Sequence, residues 1–431
     1  MSFAVAMAAA PLVLRVMLHR GVLDIPNHRS SHVIPVPRGG GIACLAGVLA
    51  GLALASTQHQ DVPWLAVSGA VCLAIVGFAD DRGALAAAPR LGAQVAVGAL
   101  VGVAVGGGWW ILAGVICIPI TVNAVNFMDG INGITSLNIA AWGFVAIAVG
   151  IAQNESSLLV IGAVTAGSTV AFLPWNAPVV RLFLGDVGSY LLGALVGIGI
   201  VIGAHQQPWS VVVLLAPLSI YLADTGISLL RRALRGEPLM TGHRQHVYQR
   251  LVSEAGMSHS TVAVMTVVLA LVITVAWVPD SPILGVPVTL VVLVGYLASP
   301  VAVARSLESR RQHANSVQEL RHRSHQVQFV TDFPIYPEDQ MFRGYLVEPY
   351  QPEERPSVTV QQAPLDLGND VHPPTMRNSV PELAEAAIPA EDKRVWGARW
   401  RGYNVNHVRQ GSAAQTLRDL VRSAIKIRTP S

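Results

Sequence analysis

The chain has 431 residues, of which 52% are hydrophobic and only 13% charged, with a net charge of +3 and a mean hydropathy of +0.49. Soluble domains carry about 25% charged residues, so this composition excludes an ordinary soluble globule and reads as a membrane protein. The small net charge also excludes a nucleic-acid binder acting through the whole chain.

A membrane-spanning helix needs about 20 mostly apolar residues. In chain order, such runs occur near 2–18, 40–57, 64–79, 91–107, 109–125, 135–152, 157–174, 189–204, 208–228, 260–278 and 282–304. They predict an all-α polytopic membrane protein with about eleven transmembrane helices. No basic residue precedes the first run, while Arg15 and Arg20 close it. That pattern predicts an uncleaved anchor with its N-terminus outside. The run is short, so a start upstream of Met1 is compatible with it. Cys44, Cys72 and Cys117 lie inside apolar runs without CxxC spacing and read as small hydrophobes.

The segments 58–63, 106–109, 153–156, 204–207 and 279–281 contain no Lys or Arg. The alternate segments carry Arg20, Arg29, Arg38, Arg82, Arg90, Arg181, Arg231, Arg232, Arg235, Arg244 and Arg250. The positive-inside rule makes that second side cytoplasmic and predicts an N-out/C-in topology. Residues 1–304 therefore form a transmembrane domain, and 305–431 a polar cytoplasmic tail. Its Pro-, Gln- and Glu-rich stretches predict disorder. Within 415–428, Leu417, Leu420, Val421, Ala424 and Ile425 share a helical face flanked by Arg418, Arg422, Lys426 and Arg428. This predicts a short basic amphipathic helix suited to a lipid surface.

Asp80 and Asp81 end the third run, and alone they would read as a solvated cap. Four more polar clusters fall on the same side: 24–41, 123–133, 181–189 and 242–251. Three clusters supply Asp80, Asp81, Asn126, Asp129, Asn132 and Asp186 at the edge of hydrocarbon. An intramembrane aspartate costs roughly 2.5–3.5 kcal/mol on insertion scales, so a compensating cation is expected. Carboxylate and amide oxygens suit Mg²⁺, or Mn²⁺, and no thiolate set suggests zinc. The other two clusters hold Arg29, His32 and Arg38, and His243, Arg244 and His246. Such cations suit a phosphate or diphosphate. Acids with a metal on one side and cations on the other make a phosphoryl-transfer site.

The ordered series DIPNHRSSHVIPVPRGGG, GFADDR, NAVNFMDGINGI, FLGDVGS and HRQHVYQRL resembles the polyprenyl-phosphate N-acetylhexosamine-1-phosphate transferase family. The resemblance covers roughly residues 5–304. It implies that undecaprenyl phosphate attacks the β-phosphorus of a UDP-N-acetylhexosamine, releasing UMP in an Mg²⁺-dependent reaction. It implies a catalytic acid pair in Asp80 and Asp81, and Mg²⁺ ligands in Asp186 and Asn126. Asp129, Asn132, His243, Arg244 and His246 would contact the nucleotide sugar, with Arg29, His32 and Arg38 at the lipid phosphate or diphosphate. The HRQH loop is nearest the O-antigen initiators, implying lipopolysaccharide synthesis at the cytoplasmic face of a bacterial inner membrane. A homodimer is compatible with this reading. Position 132 is Asn where several relatives carry Asp, and the tail matches nothing in the family.

Two other classes fit less well. An intramembrane aspartyl protease would use FLGD as a GxGD motif, but position 183 is Phe. A secondary transporter would place polar residues near the bilayer midplane within repeats, whereas these acids sit at run ends.

Overall fold

The computed structural model describes residues 1–26, 34–83, 85–238, 245–279, 281–303 and 305. Arg29, His32, His243, Arg244 and the tail with its 415–428 segment lie outside the described residues.

The architecture is all-α. The long helices are α1 (Ser2–Arg20), α2 (Gly41–Thr57), α3 (Trp64–Gly83), α4 (Ala87–Val105), α5 (Trp109–Met128), α6 (Ile134–Gln153), α7 (Ser156–Asn176) and α8 (Gly185–Gln206). They are followed by α9 (Ser210–Leu215), a 3₁₀ turn over Ala216–Leu218, α10 (Ser219–Leu234), α11 (Val247–Ser253), α12 (His259–Trp277) and α13 (Pro282–Val303). Among the described residues, ten helical segments are long and apolar enough to cross a membrane, with the 17-residue α2 just shorter. These correspond run by run to the expected spans. The ninth is broken: Pro217 sits in the 3₁₀ turn, where its missing N–H and ring clash interrupt a straight helix.

A two-stranded antiparallel ribbon joins β1 (Leu23–Asp24) to β2 (Val36–Pro37). It then docks on the segment before α8, where the Phe183 N–H donates to Pro37 O at 2.8 Å and the Gly40 N–H to Phe183 O at 2.8 Å. This carries Arg38 to the start of α8.

Helix α8 is the axis of the bundle, with its apolar window wholly buried. Lipid is as apolar as a leucine side chain, so close packing and hydrogen bonds must hold such helices together. Small residues permit that approach. A Cβ on Gly41 would lie 2.2 Å from the Gly188 backbone, and one on Gly77 would lie 2.3 Å from Asp186 O. Helices α2 and α3 therefore meet α8 backbone to backbone, which brings the end of α3 onto the start of α8. Polar bonds add to this: Gln94–Asn123 at 2.6 Å, Asn138–Thr266 at 3.0 Å and Trp142 to Leu214 O at 3.0 Å. Each such bond contributes roughly 0.6 kcal/mol in a membrane. By contrast α13 is mostly outward-facing, with Ile283, Val291 and Val294 exposed.

Candidate active site

Asp80 and Asp81 lie inside the last turn of α3, not beyond it, and both are nearly buried at 6% and 8% exposure. Their carboxyl groups face different partners. Asp80 accepts from the Leu85 N–H at 2.8 Å, Arg90 Nη1 at 2.8 Å and Tyr190 Oη at 3.1 Å. Asp81 accepts from the Asp186 and Val187 N–H groups at 3.0 and 3.1 Å. Those are donors of the first turn of α8, so Asp81 caps one helix from the end of another. Arg38 approaches Asp81 from the ribbon, with Nε 3.2 Å from Oδ1 and Nη2 donating to the Asp81 carbonyl.

Asp186 stands in the first turn of α8, where the helix dipole favours an anion. Asn126, near the end of α5, donates from Nδ2 to Asp186 Oδ1 at 2.8 Å and to Ser189 Oγ at 3.0 Å. The structure thus unites Arg38, Asp80, Asp81, Asn126 and Asp186 from four separate stretches of sequence. Asp129 follows directly, at the C-cap of α5. Its carboxyl is pushed up to about 7, mainly by burial, with the negative charge of Asp81 adding to the rise and the Thr135 hydroxyl opposing it.

Asn132 turns to different neighbours. Its N–H donates to His259 Nδ1 and its Nδ2 to Pro178 O, both at 3.4 Å, and neither bond reaches an acid. His246 is held 3.1 Å from Asp224 Oδ1 through Nδ1 and stacks on Tyr248. Tyr248 Oη donates to Phe127 O at 3.0 Å, joining that segment to the end of α5.

The donor chemistry fits a hard cation. Asp186 offers a carboxylate whose Oδ2 carries no described protein hydrogen bond, and Asn126 has its amide oxygen. Mg²⁺ commonly takes one or two carboxylates and fills its shell with water and phosphate oxygens. Among the described residues no three or more His, Cys, Asp or Glu side chains converge as a closed metal cage. No described hydrogen bond joins the carboxyl groups of two aspartates either, as a shared-proton protease dyad would require.

Beside the acids lies a cleft of about 440 Å³ between α4, α5 and α10. Leu91, Ile120, Phe127, Leu222 and Leu229 make its wall apolar, and Arg90, Asn123, Asn126 and Thr225 provide its polar points.

Five residues escaped the sequence reading. Arg90 read as one more cytoplasmic arginine, yet it sits in the first turn of α4, where the dipole disfavours a cation. That mismatch is a signal of the Asp80 partner. Ser189 and Tyr190 looked like ordinary span residues. Asp224 is fully buried and shares one face of α10 with Ser228 and Arg232. The i, i+4, i+8 spacing of polar residues in an apolar run was the visible clue. Arg232 is itself only 3% exposed and pairs with Glu237 at 3.5 Å, so its place is not explained by membrane sidedness alone.

An all-α bundle of membrane-length helices with a buried cluster of acids, amides and arginines at one end defines a class: an integral membrane protein with a charge-paired polar site at one end of its bundle. The comparisons narrow that class. The family model described as glycosyl transferase family 4 matches residues 63–204, the stretch from α3 through α8. A probable undecaprenyl-phosphate N-acetylglucosaminyl 1-phosphate transferase of Bacillus subtilis is 28% identical, over 58% of this chain and 74% of its own. A decaprenyl-phosphate N-acetylglucosaminephosphotransferase of Mycolicibacterium smegmatis is 29% identical, over 56% and 70%. An undecaprenyl-phosphate alpha-N-acetylglucosaminyl 1-phosphate transferase of Yersinia pestis is 24% identical, over 75% and 96%. These matches agree with the resemblance carried by the motifs: the chain is similar to polyprenyl-phosphate N-acetylglucosaminyl-1-phosphate transferases across the helices that hold the site.

Proposed function

We propose that this protein transfers N-acetylhexosamine 1-phosphate from a UDP-sugar to a polyprenyl phosphate such as undecaprenyl phosphate. UMP is released and a lipid-linked envelope glycan begins. The carrying observation is the juxtaposition of the Asp186–Asn126 pair with Arg90 at the rim of an apolar cleft. A lipid phosphate needs such a pairing, a polar head site opening directly onto an apolar track.

An oxygen of the lipid phosphate attacks the β-phosphorus of the UDP-sugar. The bond from that phosphorus to the oxygen bridging to the α-phosphate breaks, and UMP departs with the electron pair. Asp186 and Asn126 would hold Mg²⁺, whose chemistry here is charge neutralisation along the diphosphate. Arg90 and Arg38 each keep guanidinium N–H donors beyond those given to Asp80 and Asp81, and these suit phosphate oxygens. Asp80 and Asp81 then act by position: Asp80 aims Arg90, and Asp81 fixes Arg38 and the start of α8. Their oxygens are taken by protein donors, which favours direct attack by the lipid over a phosphorylated aspartate. Asp129, Asn132 and the 242–251 segment with His243, Arg244 and His246 would receive uridine and sugar, and Arg29 and His32 would add to the phosphate end.

The arginine distribution supports a site facing the cytoplasm across the inner membrane. The relatives' names make UDP-N-acetylglucosamine the first donor to test, with O-antigen one of several glycans so initiated. The experiment is UMP release by purified protein with undecaprenyl phosphate, Mg²⁺ and a panel of UDP-N-acetylhexosamines. Release that needs both lipid and one or more donors supports the reading. No release with any donor, or release that ignores the lipid, overturns it.

A further inference from the structure

Asp224 is the most completely engaged acid among the described residues. It is wholly buried on α10. Its Oδ1 accepts from the Val247 N–H at 2.9 Å and lies 3.1 Å from His246 Nδ1 and 3.4 Å from Ser228 Oγ. Its Oδ2 accepts from the Tyr248 N–H at 3.1 Å and Tyr296 Oη at 2.7 Å. Tyr296 is one of the few buried side chains of the outward-facing α13. One carboxyl group therefore ties together α10, α11 and the last described span.

The donors also set the chemistry of the imidazole. A carboxylate oxygen only accepts, so the His246 Nδ1 facing Asp224 must carry a proton. In the neutral ring that makes Nε2 the acceptor nitrogen, fixed by its partner as metal-bound imidazoles are by theirs. Tyr248, on the same cap, donates to Phe127 O, and a Cβ on Gly130 would lie 2.1 Å from its hydroxyl. Asn126 and Asp129 flank that contact. The network thus runs from Asp224 through α11 to the turn that carries two expected site residues.

We propose that Asp224 is a positioning residue for the transfer reaction: it fixes the tautomer and aim of His246 and seats α11 against the 126–130 turn. This rests on the sugar-1-phosphate transfer proposed above. A buried acid bonded only for stability would not require that its loss and the loss of His246 act through one path.

The test has two arms. In the first, Asp224→Asn, His246→Gln and the double variant are compared for UMP release. Each single change should lower kcat/KM about 10- to 100-fold, the cost of a misplaced site group. The double variant should be no worse than the poorer single one, because residues acting as a unit are not additive. Effects that multiply in the double variant overturn the proposal. The second arm needs no turnover. With ¹⁵N-histidine labelling in detergent at alkaline pH, the His246 signal is assigned by its loss in His246→Gln. The proposal expects a proton on Nδ1 in the native protein, and a proton on Nε2 with a bare Nδ1 overturns it. If the native protein releases no UMP, the transfer reading fails in the first arm while the second still decides the Asp224–His246 link.

Discussion

The two ends of the bundle are built from different chemistry. At the end where α3 and α5 finish and α8 begins lie the ion pairs Arg38–Asp81, Arg90–Asp80, Arg232–Glu237, Arg235–Glu237 and Arg250–Glu254, together with the His246–Asp224 contact. The opposite end is stitched by short neutral or singly charged contacts. Ser156 donates to Gln60 at 2.9 Å and Ser157 to Asp61 at 3.1 Å. Trp110 lies edge-on to His205, and Trp209 packs near Trp277. Both ends must satisfy helix termini at a membrane surface, and the second shows how little charge that requires. At the first end Asp80 and Asp81 are buried against their own desolvation cost, beyond what closing the helix ends requires, and that excess is what the proposed reaction would use.

The sharpest way to break the comparison is Asp186→Ala. It should lower kcat by about 10²–10³-fold, the scale for losing a charge-stabilising group, in protein that still extracts and folds. Near-normal UMP release would remove Asp186 from the proposed metal site. Next comes Asp81→Asn, which turns one acceptor of the α8 cap into a donor opposing a backbone N–H. A loss of about 10- to 100-fold is expected from the misaimed Asp186, read as kcat at saturating substrates. Arg90→Gln tests the cleft: the KM for lipid phosphate should rise about tenfold, the value of a charged hydrogen bond, with the KM for the UDP-sugar little changed. Equal rises in both would detach Arg90 from the lipid.

Asp129 gives a prediction of different kind. Its carboxyl is raised to about 7, above the ordinary value near 3.9. The folded state thus holds a proton that the unfolded chain has lost between those two values. Stability should fall as pH rises from about 4 through 7, and Asp129→Asn should flatten that slope in thermal melts without divalent cation. An unchanged slope would mean that Asp129 is not the group responsible. The smallest effect belongs to the opposite end: Ser157→Ala removes one partly exposed bond worth about 1 kcal/mol at most, and turnover should stay within about twofold. A large loss there would show that the two ends are not separable.

Most of the fold was legible because hydrocarbon demands long apolar runs: among the described residues the eleven runs became eleven apolar helical segments, ten of them long enough to cross a membrane and one of those broken at Pro217. The acids were legible for a related reason: Asp80, Asp81 and Asp186 are expensive at a run end and therefore conspicuous. What stayed hidden was pairing. Arg90 and Arg232 look like topology-setting arginines; the place of Arg90 in the first turn of α4 hints at an acid partner, but the sequence does not say that Asp80 and Glu237 lie opposite them. Asp224 was hidden because its partners are mainly backbone N–H groups and hydroxyls, which leave no charge pattern. The division of labour between Asp80 and Asp81 was equally invisible, because adjacent residues on a helix point about 100° apart and meet different helices.

The central claim is that this buried charge serves sugar-phosphate transfer to a lipid. The direct measurement is mass analysis of products after incubating purified protein with undecaprenyl phosphate, Mg²⁺ and UDP-N-acetylglucosamine, then with other UDP-N-acetylhexosamines. The account predicts UMP and a polyprenyl-diphospho-sugar in equal amounts with at least one donor. Unchanged lipid phosphate with every donor, or UMP without a lipid-linked product, would contradict it.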